Sequence, residues 1–421
     1  MRASIVPTWA ALAALLPSTP QPPAGELTLC REKNGWCIYS AQLWLALEYK
    51  GIPYTTKKVL ASDAPQIQWA DGSVQRDYKA IKRLDEMYPS TPPLWPPDNV
   101  DASTVETLIS EFEAAVPRGV ARDSSRAAFL FSKEEGFQYD TLPRHVFVDF
   151  LDATESLLAK HGGDDGPFFC GACVSAADIV FAPLLERYAA QLPCLHAGLV
   201  PRGSEAWPLL SRWYDAMDQV PAYACRVKGD AQSWRKVLST SPWWPAGWPS
   251  RGDPEERGDP RGGELALTEE DACVAFGGDG SVAPDIWNAY ASGRAYVSIQ
   301  PAAEAAAKIV RNSEAIVRDA EKQYALPAGT SADEYDAALR AVAASLLAFE
   351  RIKGSEEAET SGSCERSSIR ALFAYLSERM CVPRDLGGPE AAAIRRASGE
   401  YADADGDATP GSSVARTVNK F

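Results

Sequence analysis

Residues 34–54 read NGWCIYSAQLWLALEYKGIPY, and their punctuation decides the fold. The run Ser40–Lys50 (SAQLWLALEYK) predicts a helix, stopped by Gly51 just after it and by Pro53 two residues further on. Tyr54–Leu60 reads as a strand, and upstream Glu26–Cys30 (ELTLC) alternates as a strand should. Downstream, Gln66–Ala70 and Ser73–Gln75 flank Asp71-Gly72, a hairpin signal because both positions of the tight turn ask for positive φ. Asp77–Tyr88 then carries Ala80, Ile81, Leu84 and Met87 at helical spacing, and Pro89 ends it. The expected order is β-α-β-β-β-α, with only Ala61–Ala64 between the second strand and Pro65.

Past the Pro-rich stretch Thr91–Asp98 the strand signals vanish. Helices are expected at about Ala102–Ala121, Pro143–His161, Ser175–Gln191 and Trp207–Gln219. Arg251–Glu264 (RGDPEERGDPRGGE) is polar and rich in Gly and Pro, which marks a linker. Its two Arg-Gly-Asp tripeptides follow from that composition and do not require an adhesion receptor. Beyond it, Pro301–Lys322, Ser331–Gly354 and Cys364–Met380 read as amphipathic helices, with Ser331 and Glu334 as a capping box. Gly277–Gly280 (GGDG) has no lysine or helix start behind it, which argues against a phosphate loop. The expected division is a leader (1–25), a small α/β domain (26–90), an all-helical domain (101–245), a linker (246–264), a helical extension (265–400) and a frayed tail (401–421). The leader reads either as a cleaved signal or as a short packed helix, with Trp9, Leu12, Leu15 and Leu16 on one face.

Composition narrows the partners. With 421 residues, 46% hydrophobic and 24% charged, the chain is of the globular class with two to three domains. A net charge of −15 argues against nucleic acid and anionic membranes, which need a positive surface. No apolar run reaches bilayer length, so a soluble, cytoplasmic protein is expected, or an organellar or secreted one if residues 1–25 are cleaved. Nine irregularly spaced cysteines favour a reducing compartment over a disulfide framework. His145, His161 and His196 have no ligand spacing, and no metal is expected.

The chemistry centres on Cys37, between the first strand and the first helix. A thiol at a helix N-terminus faces unpaired N–H groups and the positive end of the dipole, which favours the nucleophilic thiolate. Ser40 at the second position excludes a dithiol mechanism, so a mixed disulfide would be resolved by another thiol. The competing reading is a half-buried structural cysteine. Likewise Cys170-Gly-Ala-Cys173 has no second pair at metal spacing and reads as structural.

These motifs resemble the cysteine-type glutathione transferases, of omega- and lambda-like kind. Asn34–Tyr54 resembles their opening, in which a Cys-Pro-[Phe/Tyr]-[Cys/Ser] motif precedes a Leu-Ala-Leu-Glu helix and Lys-Gly-Ile-Pro-Tyr; Ile38 replaces the proline. Gly166–Arg187 (GPFFCGACVSAADIVFAPLLER) is similar to the helical-domain signature, with Ser175 and Asp178 as a capping box, and Trp207–Met217 with Pro221–Tyr223 to the closing helix. Val382–Asp385 is similar to an extension found in algal and microbial relatives. The resemblance implies a thioredoxin-like domain lacking one helix, followed by an all-α domain. It implies Cys37 as the catalytic or glutathione-linked residue, and Ala64 and a cis-Pro65 beside the cysteinyl part of glutathione. Asp77 and Tyr78 stand where an acidic-Ser pair holds the γ-glutamyl end, with a plain helix cap as the alternative for Asp77. The shortened Ala61–Ala64 connection and the bulk of Tyr78 depart from the pattern at two sub-contacts. The implied activity is a glutathione-dependent transferase or thiol-disulfide reductase. Its partners would be glutathione, an apolar electrophile or disulfide, and a second copy of the chain. The alternative is a non-catalytic binding or scaffold protein acting through the helical extension.

Overall fold

The computed structural model describes residues 6–16, 26–76, 78–95, 102–117, 130–133, 139–162, 166–196, 198–239, 269–348 and 363–403. The expected linker 246–264, residues 17–25 of the leader, the tail after residue 403 and Asp77 lie outside the described residues. Two compact units form: Pro17–Pro301 with Met380–Ala391, and Met1–Leu16 with Ala302–Arg379 and the chain from Ala392. Helix α1 (Trp9–Ala13) is part of the second, and the first begins with a sheet.

Strands β1 (Leu27–Glu32), β2 (Tyr54–Val59), β3 (Gln66–Gln68) and β4 (Val74–Gln75) lie in the order β2-β1-β3-β4. β2 runs parallel to β1 and β3 antiparallel to it, as expected of the thioredoxin-like half. Between β2 and β3 the chain makes one 3₁₀ turn, Ala61–Asp63, in place of a helix. The sheet's side chains explain how that is tolerated. Leu27, Leu29 and Ile67 are buried on one face, while Thr28, Thr55, Lys57, Gln66 and Gln68 on the other are half-buried or exposed and need no apolar cover. The hairpin at Asp71-Gly72 forms, but by different chemistry from that expected. Only Gly72 takes positive φ (80°), and Asp71 Oδ1 instead accepts from Ser73 N (2.8 Å) and Ser73 Oγ (2.5 Å).

Helix α2 (Ile38–Lys50) ends on Gly51 at φ 65°. All its residues but Tyr39 and Tyr49 are buried, between the sheet and the long helix α6 (Ala176–Leu195). Helix α3 (Lys79–Met87) closes the α/β part. Helices α4 (Ala102–Ala115), α5 (Arg144–Leu157), α6, α7 (Pro208–Met217) and α8 (Ala231–Ser239) follow. A short antiparallel pair, β5 (Phe131–Lys133) and β6 (Tyr139–Thr141), interrupts them, a correction to the purely helical expectation. α9 (Glu269–Phe276) ends on the expected GGDG segment, where Gly277 and Gly278 at φ 102° and 117° both donate to Cys273 O: a helix cap, not a phosphate loop. α10 (Pro284–Ala291) completes the unit.

All 20 residues of α6 are buried, so its N-terminus must be satisfied internally. Asp178 does this. Its Oδ2 accepts from Ser175 N (2.8 Å) and Ser175 Oγ (2.7 Å), and its Oδ1 from Phe169 N (3.1 Å) and Trp213 Nε1 (2.8 Å). One carboxylate thus joins α6, the preceding loop and α7.

In the second unit α1 packs on α13 (Ala332–Ala348). Leu12 is buried, Trp9 Nε1 donates to Asp336 Oδ1 (2.7 Å), and Arg340 Nη1 donates to Pro7 O (3.1 Å). Leu15, expected on the same buried face, is instead exposed. The expected helix Pro301–Lys322 is two, α11 (Pro301–Arg311) and α12 (Ser313–Lys322). They are divided where Asn312 Nδ2 takes Lys308 O for itself (2.8 Å). Ser331 and Glu334 form the expected box, Ser331 N donating to Glu334 Oε2 (2.7 Å) and Glu334 N to Ser331 Oγ (3.3 Å). α14 (Ser363–Arg379) is tied to α12 by Tyr375 and Arg379 on Asp319, and α15 (Gly388–Asp403) ends the described chain.

Replacing Asp178 strands four buried donors, each costly when unpaired. Asp178→Ala is expected to lower the unfolding free energy by about 3 kcal/mol, read from urea denaturation at unchanged slope. A loss below about 1 kcal/mol would refute this role.

Candidate active site

β1 delivers a loop whose shape is set by its own last residue. The buried Glu32 carboxylate accepts from Asn34 N (Oε1, 2.8 Å) and Trp36 N (Oε2, 3.1 Å), while Glu32 N donates to Ser40 Oγ (3.2 Å). Ser40, at the second position of the motif, therefore works as a structural acceptor. Gly35 turns the loop at φ 76°. Cys37 is the N-cap of α2 in extended conformation, and its carbonyl accepts from Ala41 N (3.1 Å). Its thiol makes no capping hydrogen bond and is 9% exposed.

The antiparallel register pairs Cys30 with Gln66, so Pro65 and Ala64 lie beside the end of β1 from which the Cys37 loop leaves. The Ala64–Pro65 peptide is cis, as expected. Cys37, Ala64 and Pro65 thus share one end of the sheet. Tyr78 sits elsewhere in the pattern: it caps α3 with its backbone, accepting from Ile81 N (2.9 Å), and packs half-buried against the core.

From the helical side, Gln42 Nε2 donates to Val180 O (2.8 Å) and locks α2 to α6. Farther along α6 is Arg187, fully enclosed. Its Nη1 donates to Pro183 O (2.7 Å), its Cζ lies 4.3 Å from the Trp234 ring centroid, and its Nε has no partner. Burial pulls this guanidinium below the ordinary arginine range, while the negative charges of Glu186 and then Cys37 pull it back up. Glu186 is held in turn by Gly229 N (2.7 Å) and Trp234 Nε1 (2.8 Å). Arg187 is thus a buried cation within electrostatic reach of Glu186 first and Cys37 second.

A distant segment braces the same loop. Arg31 Nη2 donates to Arg384 O and Arg226 Nη1 to Pro383 O, each at 3.4 Å, and both guanidiniums lie over Trp44, at 4.6 and 4.4 Å. Burial and then Arg226 hold Arg31 down to about 10. Val382 N donates to Ser233 Oγ (2.8 Å), anchoring the segment, and a Cβ on Gly35 would come within 3.2 Å of Arg384 Cβ.

Cys170 and Cys173 are both free; Cys170 is buried, and burial pushes its thiol up to about 11. Burial likewise pushes Cys194 up to about 11 and raises Cys225 and Cys381. Among the described residues no three His, Cys, Asp or Glu side chains gather as a metal would require, and no helix is long and apolar enough to cross a membrane.

The family model "Glutathione S-transferase, C-terminal domain" matches residues 146–216, the region of α5, α6 and α7. Glutathione S-transferase DHAR2 of Arabidopsis thaliana is 29% identical over 164 residues, covering 36% of this chain and 66% of the relative. Over these stretches the chain is similar to glutathione transferases. Protein IN2-1 homolog B of Oryza sativa subsp. indica is 24% identical over 212 residues, covering 47% of this chain and 78% of that one. A solved structure, maleylacetoacetate isomerase from Anaeromyxobacter dehalogenans with bound glutathione, superimposes at TM-score 0.34 and 19% identity, over 46% of this chain and 90% of that one. The chain thus spans just under two thirds of the length of its Arabidopsis relative.

Glu32, Arg187 and Trp234 escaped the sequence reading. The signal for Arg187 was present: a Glu-Arg pair inside an otherwise apolar helix, where burial demands partners.

Two outcomes follow from these contacts. Gly35→Ala places a side chain at positive φ and against Arg384, and is expected to cost about 1–2 kcal/mol in a urea titration; a neutral variant would disprove the bracing. Cys170 and Cys194 have folded values near 11, above the ordinary value of about 8.5. Their contribution is therefore fully present below about pH 8.5 and lost as pH rises toward 11. The thermal midpoint should fall across that window, and less so in a Cys170→Ala, Cys194→Ala variant; equal slopes would contradict it.

Proposed function

We propose that the chain is a glutathione-dependent thiol-disulfide reductase or transferase of the cysteine type, with Cys37 as nucleophile. The observation that carries this is the placement of Cys37: a thiol with no capping hydrogen bond at the start of a buried helix, on a loop fixed by Glu32 and within electrostatic reach of the enclosed cation Arg187. The family, and the name of the Arabidopsis relative as a glutathione S-transferase, support glutathione as co-substrate. Residues 26–90 would bind it, with Ala64 and Pro65 beside its cysteinyl part and Asp77-Tyr78 at its γ-glutamyl end, and residues 101–245 would supply the apolar wall. An electrophile or disulfide and a second copy of the chain are the other partners of this reading, in a reducing compartment such as the cytoplasm.

In the reductase step the Cys37 thiolate attacks one sulfur of a disulfide. The S–S bond breaks, Cys37 becomes a mixed disulfide, and the departing thiolate takes a proton from water. Glutathione thiolate then attacks the mixed disulfide and releases Cys37, and a second glutathione reduces the resulting glutathionyl disulfide. Arg187 balances charge on Cys37 before attack and after release.

The second reading, a scaffold, is favoured by the separate helical unit Ala302–Arg379 and by the shortened β2–β3 connection. One experiment separates them. Cys37→Ser should reduce glutathione-dependent turnover of hydroxyethyl disulfide to background while leaving the thermal midpoint within about 2 °C. Arg187→Met, which keeps the packing volume, should slow iodoacetamide alkylation of Cys37 several-fold at pH 7. A wild-type protein that neither turns over nor binds glutathione at millimolar concentration would hand the case to the scaffold.

A further inference from the structure

The Cys170-Gly-Ala-Cys173 stretch has no part in the chemistry proposed for Cys37, and its surroundings are closely defined. The chain from Phe169 to Ser175 closes on one carboxylate: Phe169 N donates to Asp178 Oδ1 (3.1 Å) and Ser175 N to Asp178 Oδ2 (2.8 Å). Within that loop the chain reverses at Phe169-Cys170, where Phe168 and Gly171 exchange both backbone hydrogen bonds (3.1 and 3.2 Å). Gly171 takes φ 99°, and the chain bends again at Ala172 and Cys173. A loop tied at both ends and turned twice holds its two cysteines, three residues apart, at short range. It is also backed tightly, since a Cβ on Gly166 would lie 2.2 Å from Gly171 O, and Arg212 Nη2 donates to Gly166 O (3.0 Å).

The two thiols differ as members of a redox pair do. Cys173 is the exposed one among the described cysteines, while Cys170 is buried and hydrogen-bonded to Ser175. Packing accounts for Cys170, which belongs to the apolar core, but it gives an exposed cysteine three residues later no purpose. A solute reaches Cys173 first. Burial pushes the Cys170 thiol up to about 11, which keeps it protonated until its neighbour has reacted.

We infer that Cys170 and Cys173 form a redox-active dithiol, a modification site that small disulfides convert to an intraloop disulfide at the start of α6. The inference does not rest on the function proposed for Cys37. The Cys173 thiol gives its proton to water, and its sulfur attacks one sulfur of a low-molecular-weight disulfide such as glutathione disulfide. That S–S bond breaks, one glutathione thiolate leaves and takes up a proton, and Cys173 carries the other glutathione as a mixed disulfide. The Cys170 sulfur, losing its own proton, then attacks Cys173 Sγ and expels the second glutathione. The two protein thiols lose two electrons, and the glutathione disulfide gains them. Closure needs Cα atoms about 4.4–6.8 Å apart, a span that suits residues three apart in a bent loop. It removes the Cys170–Ser175 hydrogen bond, so the state of the pair bears on the residue that caps α6.

The test is equilibration of the native full chain in glutathione buffers of rising disulfide content, then alkylation with iodoacetamide in denaturant and peptide mass spectrometry. The peptide spanning Cys170 and Cys173 should lose two hydrogens and both of its alkylation sites together. Cys170→Ser should stop the reaction at a glutathionyl adduct on Cys173, and Cys173→Ser should leave Cys170 reduced at every ratio. The same series in Cys37→Ser should give the same disulfide, which separates this pair from the nucleophile. Wild type that ends as a glutathionyl adduct on Cys173, that stays reduced in a large excess of glutathione disulfide, or that oxidises only with Cys37 present overturns the inference.

Discussion

Asp178 accepts four hydrogen bonds where water does not reach, and the unit that holds the sheet is arranged around the helix it starts. A helix buried along all its length cannot leave its first N–H groups to solvent, so the cap decides whether α6 can be central at all. Once α6 is fixed, α2 has a surface to lie against, and the Gln42 bond to Val180 sets the register between them. Cys37, at the start of α2, then lies within electrostatic reach of Arg187 on α6.

Two charges inside that core are held in different ways. Glu32 is satisfied by backbone donors and makes a loop rigid. Arg187 is left with one hydrogen bond, one aromatic face and an unpartnered Nε. A buried cation is expensive unless something negative meets it. Glu186, itself held by Gly229 and Trp234, is the negative charge that acts most strongly on Arg187, with Cys37 next.

The element order of the α/β part, the end of α2 and both capping boxes were legible in the sequence, because each rests on local chemistry. Gly51 can adopt φ 65° at no cost, and Ser and acidic residues three apart can only reach each other at a helix start. The hairpin was legible as an event but not as a geometry: Asp71 contributes a side-chain acceptor where its backbone was expected to contribute. Asn312 shows the reverse: a strongly periodic run divides at this residue, whose side-chain amide and backbone N–H both donate to Lys308 O. The partners of Cys37 were not legible. Glu32 looks like any strand-end acid, and Arg187 lies about 150 residues away on an element whose register to α2 is a tertiary fact.

The same distance problem explains the far segment Met380–Ala391. Nothing in its composition assigns it to the Cys37 loop, yet its backbone carbonyls meet two guanidiniums stacked on Trp44. Charge makes this contact intelligible. Arg31 and Arg226 repel each other, and the segment brings them two carbonyls together with the negative charges of Asp385, which acts on Arg31, and Glu390, which acts on Arg226. The loss of the helix between β2 and β3 follows a related logic on the opposite face of the sheet. Thr, Lys and Gln there, around the single buried Cys30, leave little apolar surface to cover, so the chain can cross the end of β1 in one turn. The sheet is therefore supported on its apolar side by α2 and at its loop end by a segment from near the end of the described chain.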